Sequence, residues 1–383
     1  MRIALNTRFL LKNQLEGVGW FTYEIAKRLV ERHPECEFIF FFDRDYEKEY
    51  VFGKTVTPVV LFPPARMPIL WKWWFEISIP WALKKYHADV FLSFDGYCSL
   101  RAKTPTVIVT HDVAYLHMPN QIPRKILQYY QQYTPRFLQR AERIITVSEY
   151  SKKDILQHFE IPTNKIAVTC NGCKAEFKPL KAIDKQAVKA KYATGEDYFL
   201  YVGSVHPRKN VHRLIQAFDQ FKKNTQSPIK LLIGGRFAWQ TGEVKDAYDN
   251  ALFKNDITLL GYVSDEELPR LTGAALALVY VSLFEGFGVP LLEAMHCNVP
   301  VITSNVSSLP EVAGEAALLV NPYEVPEIAN AMQQLYENPD LRQDLVEKGK
   351  MQREKFTWEK ATDIVWQNIL LALQSKHADT KTQ

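Results

Sequence analysis

The sequence predicts an α/β protein of two doubly wound, Rossmann-like domains, and three observations carry that prediction. The 383 residues suggest two domains at roughly 100–200 residues each. Short β-branched or aliphatic runs alternate with longer segments of helical period, the pattern of parallel sheets with crossover helices. Each half of the chain holds about six such runs. In the first half they are residues 3–5, 38–42, 90–94, 107–110, 144–147 and 166–169. In the second they are residues 199–203, 230–233, 257–260, 275–281, 299–303 and 317–320. Between 177 and 197 lies a charged stretch with Pro179, which reads as a linker followed by a surface helix. The expected domains are therefore 1–180 and 181–356. A final helix over about 357–375, with apolar Ile364, Val365, Ile369, Leu370 and Leu373 and Thr357 as its cap, is expected to pack back on the first domain. The polar tail, 376–383, is expected to be disordered.

Composition narrows the function. Hydrophobic content of 47% suffices for packed cores, and no apolar run approaches the roughly 18–20 residues of a membrane span. The first residues enter strand-like sequence with no signal-peptide pattern, and five scattered cysteines form no even disulfide framework, so a cytoplasmic location is expected. Net charge of +4 is too small to argue for nucleic acid, and none is expected as a partner. It is uneven, however: residues 1–180 carry 25 Lys and Arg against 18 Asp and Glu, and the remainder 22 against 25. Arg124, Lys125, Arg136, Arg140, Arg143, Lys152 and Lys153 face only Glu142 and Glu149. Such a surplus is either a solvated helix face or a surface for an anionic membrane or a phosphorylated substrate.

Ligands of open α/β sheets bind beyond the carboxyl ends of the strands. After the run 199–203 comes Ser204-Val205-His206-Pro207-Arg208-Lys209-Asn210 and then a helical period, with Asn210 a plausible N-cap. Arg208 and Lys209 put two cations beside unpaired helix-start amides, where a pyrophosphate can be held. After the run 275–281 comes Glu285-Gly286-Phe287-Gly288-Val289-Pro290-Leu291-Leu292-Glu293. Pro290 suits a first helical turn, and the glycines let backbone approach a ligand. Carboxylates accept bidentate hydrogen bonds, so Glu285 and Glu293, expected to face one crevice, suit sugar hydroxyls better than phosphate.

The segment from Glu285 to Met295, two glutamates separated by seven residues, resembles the signature of glycosyltransferase family 4, retaining nucleotide-sugar transferases of the GT-B fold. The resemblance extends over nearly the whole chain through Gly17-Val18-Gly19, Thr110-His111-Asp112, Thr146-Val147-Ser148-Glu149, Tyr201-Val202-Gly203-Ser204, Pro207-Arg208-Lys209-Asn210, Leu260-Gly261-Tyr262-Val263 and Ser307-Ser308-Leu309-Pro310-Glu311. It implies two domains facing across a cleft. It also implies that Arg208 and Lys209 bind the donor diphosphate, Glu285 the donor sugar and Glu293 the ribose. The amides of Phe287, Gly288 and Val289 would face sugar and phosphate, and Gly286, Gly203 and Ser204 would also line the donor site. Gly17, Val18 and Gly19 would lie against the diphosphate, His111 near the transferred sugar, and the base near Gly234, Arg236, Tyr262 and Val263. The segment 299–320 looks most like bacterial mannosyl- and rhamnosyltransferases of surface-polysaccharide assembly. The expected reaction moves a hexose, mannose from GDP-mannose first, to a lipid-linked glycan precursor. The expected mechanism needs neither a protein nucleophile nor a metal or other cofactor. Two alternatives keep the sequence features: a UDP-sugar donor with a soluble acceptor, and a non-catalytic nucleotide-sugar-binding subunit.

Several features are set aside. Cys170-Asn171-Gly172-Cys173 is a lone C-x-x-C with no second pair. Asp43-Arg44-Asp45 reads as a turn, and Ser308 with Glu311 as a capping box. The tryptophan-rich stretch 67–81 reads as an amphipathic helix with Pro80 near its end, or as a membrane-interface segment that, with the basic stretch, would place the chain peripherally on the inner face of the cell membrane.

Overall fold

The computed structural model describes residues 1–12, 15–236 and 242–379, with side chains inside the last helix to 374. The chain forms two compact units, Met1–Asn171 with Trp358–Gln383, and Gly172–Thr357.

The first unit holds seven parallel strands, β1 (Arg2–Asn6), β2 (Glu37–Phe42), β3 (Val56–Val60), β4 (Val90–Ser93), β5 (Thr106–Val109), β6 (Arg143–Thr146) and β7 (Ile166–Val168). Their order is β3-β2-β1-β4-β5-β6-β7. The crossovers carry α1 (Gly17–Arg32), α2 (Pro68–Trp73), α3 (Ile79–Lys85), α4 (Ala114–His117), α5 (Arg124–Arg140) and α6 (Glu149–His158). Six of these strands are the expected ones. The seventh, β3, carries Pro58 and reads poorly as a strand, but at the sheet edge the missing N–H costs no ladder bond.

The second unit holds six parallel strands, β8 (Tyr198–Val202), β9 (Lys230–Gly234), β10 (Ile257–Gly261), β11 (Ala277–Tyr280), β12 (Val301–Ser304) and β13 (Ala317–Val320), in the order β10-β9-β8-β11-β12-β13. Around them lie α7 (Ala182–Ala193), α8 (Val211–Thr225), α9 (Gly242–Asn250), α10 (Leu268–Ala274), α11 (Val289–His296), α12 (Leu309–Ala313), α13 (Val325–Glu337) and α14 (Pro339–Arg353). Central strands such as β8, covered by helices, are buried along their whole length, as parallel sheets require.

Three expectations are corrected. The boundary lies at 171/172 rather than 180/181, because Phe177 is buried and Leu180 packs on Gly273 of the second unit. The last helix, α15 (Trp358–Asp379), runs past 375 into the expected disordered tail, and residues 380–383 lie outside the described residues. It packs on the first unit, where Arg28 pairs with Glu359, Arg32 with Asp363, and His33 stacks on Trp366. Finally, Pro80 does not end a helix. It sits in the first turn of α3, directly after a π-helical turn, Trp74–Ser78, that follows α2. No helix among the described residues is long and apolar enough to cross a membrane.

Candidate functional site

In each sheet the chain begins near the centre, builds outward on one side and then returns to build the other. The switch points lie between β1 and β4 and between β8 and β11, where neighbouring strand ends leave a crevice. The loops carrying the predicted residues open at these places.

In the second unit the loop after β8 contains Gly203, Ser204 and a 3-10 turn, Pro207–Lys209, and the loop after β11 contains Glu285 to Gly288. Lys209 Nζ donates to Glu285 Oε1 at 2.6 Å and to Tyr280 Oη at 2.7 Å, and the Tyr280 hydroxyl donates to the same carboxylate oxygen at 2.9 Å. All three side chains are buried. Burial pushes the Glu285 carboxyl up, but Lys209 and Arg208 outweigh it and hold the group below its ordinary range. Burial, with Glu285 adding to it, drives the Tyr280 phenol well above its ordinary value, so it stays a donor. Tyr280 reads as core in the sequence, and its place in this triad was missed.

The glycine loop is held from α12's side. Glu285 N–H donates to Ser307 Oγ, and the Ser308 hydroxyl donates to the carbonyls of Glu285 and Phe287 at 2.9 and 3.0 Å. Ser308 is therefore not the cap of a capping box; its hydroxyl is committed to the loop. Gly288 stands at the N-terminus of α11 with φ +108°, and a Cβ there would come within 2.7 Å of Leu309. Val289 and Pro290 open the helix as expected. Asn210 is likewise not a side-chain cap: its amide donates to the carbonyls of Val281 and Pro322, clamping the loop after β8 to that after β11.

Glu293, in α11, is buried but lies in the field of Lys174 and Asp265 rather than at the Lys209 cluster, so the two glutamates occupy different surroundings. Burial pushes the Glu293 carboxyl up to about 7, with Lys174 opposing. Beyond the ends of β8 and β9 the backbone packs too closely for a side chain at Gly235: a Cβ there would lie 1.7 Å from the Gly203 carbonyl. Gly203 N–H bonds to Gly234, which also packs on Val263, and Gly235 N–H bonds to Gly261. Beside this ledge the exposed Arg236 guanidinium lies 4.6 Å over the ring of exposed Tyr262.

In the first unit the switch point holds a cavity of about 470 Å³ lined by residues including Arg8, Val18, Tyr97, Thr110, His111 and Tyr115. Val18 lies between Gly17 and Gly19 at the start of α1. Arg8 and Asp95, on the loops after β1 and β4, form a buried pair at 2.5 Å, and Asn6 also donates to Asp95. Sequence reasoning missed this pair, although both members directly follow strands. His111 Nε2–H donates to the Phe94 carbonyl at 2.9 Å, and burial lowers its pKa, leaving the ring neutral at pH 7. Thr110 Oγ1 is buried without a hydrogen-bond partner among the described residues, and the Tyr115 hydroxyl faces Thr134. Elsewhere in this unit His117 Nε2 bonds the Asp154 carboxylate, and His158 Nδ1, bonded to the Asp154 backbone carbonyl, lies 3.1 Å from the same carboxylate; this is the single His, Cys, Asp and Glu grouping of metal-ligand spacing among the described residues. No disulfide joins any of the five cysteines among the described residues.

Residues 15–177 match the model of Glycosyltransferase Family 4, and residues 183–352 that of Glycosyl transferases group 1. O-antigen chain mannosyltransferase B of Escherichia coli is 33% identical over 283 residues, 74% of this chain and 74% of that protein. O-antigen chain mannosyltransferase RfbU of Salmonella typhimurium is 33% identical over 243 residues, 63% of each chain. Among solved structures, Anabaena Alr3699/HepE in complex with UDP and glucose superposes with a TM-score of 0.75 over 95% of this chain and 98% of that one, at 16% identity. With two parallel-sheet units and loops at both switch points, this chain is a glycosyltransferase of the GT-B fold and belongs to glycosyltransferase family 4.

Proposed function

We propose that the chain transfers mannose from GDP-mannose, with retention of anomeric configuration, to a lipid-linked precursor of a surface polysaccharide. The observation that carries the catalytic part is the buried Lys209–Glu285–Tyr280 cluster beside Arg208 at the switch point of the second sheet. The mannose and polysaccharide parts rest on likeness to two O-antigen mannosyltransferases.

Arg208 and Lys209 would bind the diphosphate and offset the negative charge that grows on it as the bond to the sugar breaks. The acceptor hydroxyl attacks the anomeric carbon from the face the diphosphate leaves. The electron pair of the broken bond goes to the phosphate oxygen, which takes the acceptor's proton. Glu285, ionised and fixed through Oε1, would accept from a sugar hydroxyl through Oε2. Glu293 would accept from the ribose, and the amides after Gly286 would face the phosphate. Half-buried, neutral and bonded to Phe94, His111 would serve the transferred sugar by position rather than as a base. The two cations would do the work a metal does in other transferases, so no metal is required.

A thermal-shift panel with GDP, UDP, ADP and dTDP and their sugar conjugates, with and without EDTA, tests this, because binding stabilises by RT ln(1 + [L]/Kd). A GDP and GDP-mannose shift that survives EDTA and disappears in Arg208→Ala supports it. A shift with UDP alone discards mannose and favours a UDP-sugar donor, UDP being the nucleotide bound in the Anabaena structure.

A further inference from the structure

We infer that the outer face of the helix running from α2 to α3 is a docking surface for an anionic lipid bilayer. Ile69, Trp73, Ile77 and Trp81 are all more than half exposed, and Phe62 beside them is 81% exposed. They recur every fourth residue. A four-residue step overshoots a turn of about 3.6 residues by roughly 40°. The same step falls short of a π turn of about 4.4 residues. The π-helical turn at Trp74–Ser78 therefore returns Ile77 and Trp81 toward the line of Ile69 and Trp73, giving one apolar row roughly 18 Å long.

The opposite face supplies what the core needs, since Trp74, Phe75, Ile79 and Leu83 are buried. Trp71 and Trp74 satisfy their indole N–H groups on the carbonyls of Ala65 and Leu61. The Ser78 hydroxyl donates to the Phe62 carbonyl, tying the preceding loop to the row. Folding thus explains the inner tryptophans and leaves Trp73 and Trp81 unaccounted for, in a patch larger than the scattered apolar residues of ordinary surfaces.

Charge selects the occupant. Arg66, Lys72, Lys84 and Lys85 are exposed around the row, with Lys85 Nζ 4.7 Å over the Trp81 ring. Glu76, the one acid within the stretch, is turned inward onto the Leu100 amide. Cations flanking outward tryptophans suit a bilayer interface with anionic headgroups. A second copy fits poorly, because a two-fold contact would set the same lysines against each other. The inference deepens the reading of a lipid-linked acceptor, but its test uses neither donor nor transfer, so the two can fail separately.

The experiment is flotation of the full chain with vesicles of phosphatidylcholine alone and of phosphatidylcholine with phosphatidylglycerol. The chain is expected to float with the anionic vesicles and to be released by high salt. Lys84→Gln with Lys85→Gln should weaken partition roughly fivefold per charge removed. Trp73→Ser with Trp81→Ser should weaken it at least about tenfold while melting temperature and the far-UV circular dichroism spectrum stay at wild-type values. Failure to float with either vesicle, or equal flotation of the tryptophan variant, overturns the inference. So does a dimer in size-exclusion light scattering that the tryptophan variant converts to monomer, which would assign the row to a second copy.

Discussion

Replacing Lys209 by Met should do two separable things. The ammonium is bonded to Glu285 and Tyr280, and the Lys209 and Glu285 side chains are only 10% and 9% exposed. Removing it leaves a buried carboxylate without its cation, a change that costs about 3–5 kcal/mol. For a unit the size of residues 172–357, at roughly 2–4 °C per kcal/mol, the melting temperature should fall by roughly 6–20 °C. Lys209→Met with Glu285→Gln removes both charges, so most of the loss should return, with a coupling of at least about 2 kcal/mol between the sites. Neither variant should regain transfer, because Lys209, one of the two phosphate cations, is missing from both. Urea denaturation of the four proteins of the cycle measures the coupling, and donor turnover measures the function. Additive effects, or a Lys209→Met protein as stable as wild type, would refute the claim that the pair is a coupled buried unit.

Glu293 should impose a pH dependence of its own. Its folded pKa of about 7 lies above the ordinary carboxyl value, so the folded state holds the proton more tightly. Stability is then greatest below about pH 4.5 and falls as pH rises toward 7, by roughly 3 kcal/mol, a loss that Glu293→Gln should abolish in pH-dependent denaturation. In Ser308→Ala two loop carbonyls lose their hydroxyl donor, so we expect about 1–3 kcal/mol of destabilisation and a drop in kcat, read by denaturation and transfer assays; unchanged kcat would detach this hydroxyl from the site. His111 should titrate below 6.5 by 15N imidazole NMR and carry its proton on Nε2 at pH 7; a higher value would contradict the desolvation that lowers it. Gly235→Ala should fail to fold or lose donor binding, since no shift of a flexible side chain can relieve a Cβ 1.7 Å from the Gly203 carbonyl.

Most of the fold was legible because parallel strands are short apolar runs separated by helical period, and twelve of the thirteen strands announce themselves so. The exception, β3, is decided by place: Pro58 forbids an interior strand and is harmless at an edge. The domain boundary was misjudged because the charged stretch from 177, with Pro179, looks like the start of a linker, while the burial of Phe177 and Leu180's packing on Gly273 depend on tertiary contacts that no local pattern reveals. At the site, Arg208, Lys209 and Glu285 could be read from their positions after strands. Tyr280 could not, since a buried strand tyrosine and a proton donor to a carboxylate have the same spelling. Ser308 and Asn210 gave true signals of helix starts, yet their side chains were claimed by carbonyls of neighbouring loops.

The most direct test of the account is turnover of GDP-mannose by the wild-type chain and by the Lys209→Met, Glu285→Gln double variant, with membranes supplying acceptor. Wild type should consume donor and form a product with the donor's anomeric configuration, while the folded double variant should consume none. Turnover by the double variant at the wild-type rate, or a product of inverted configuration, would contradict it.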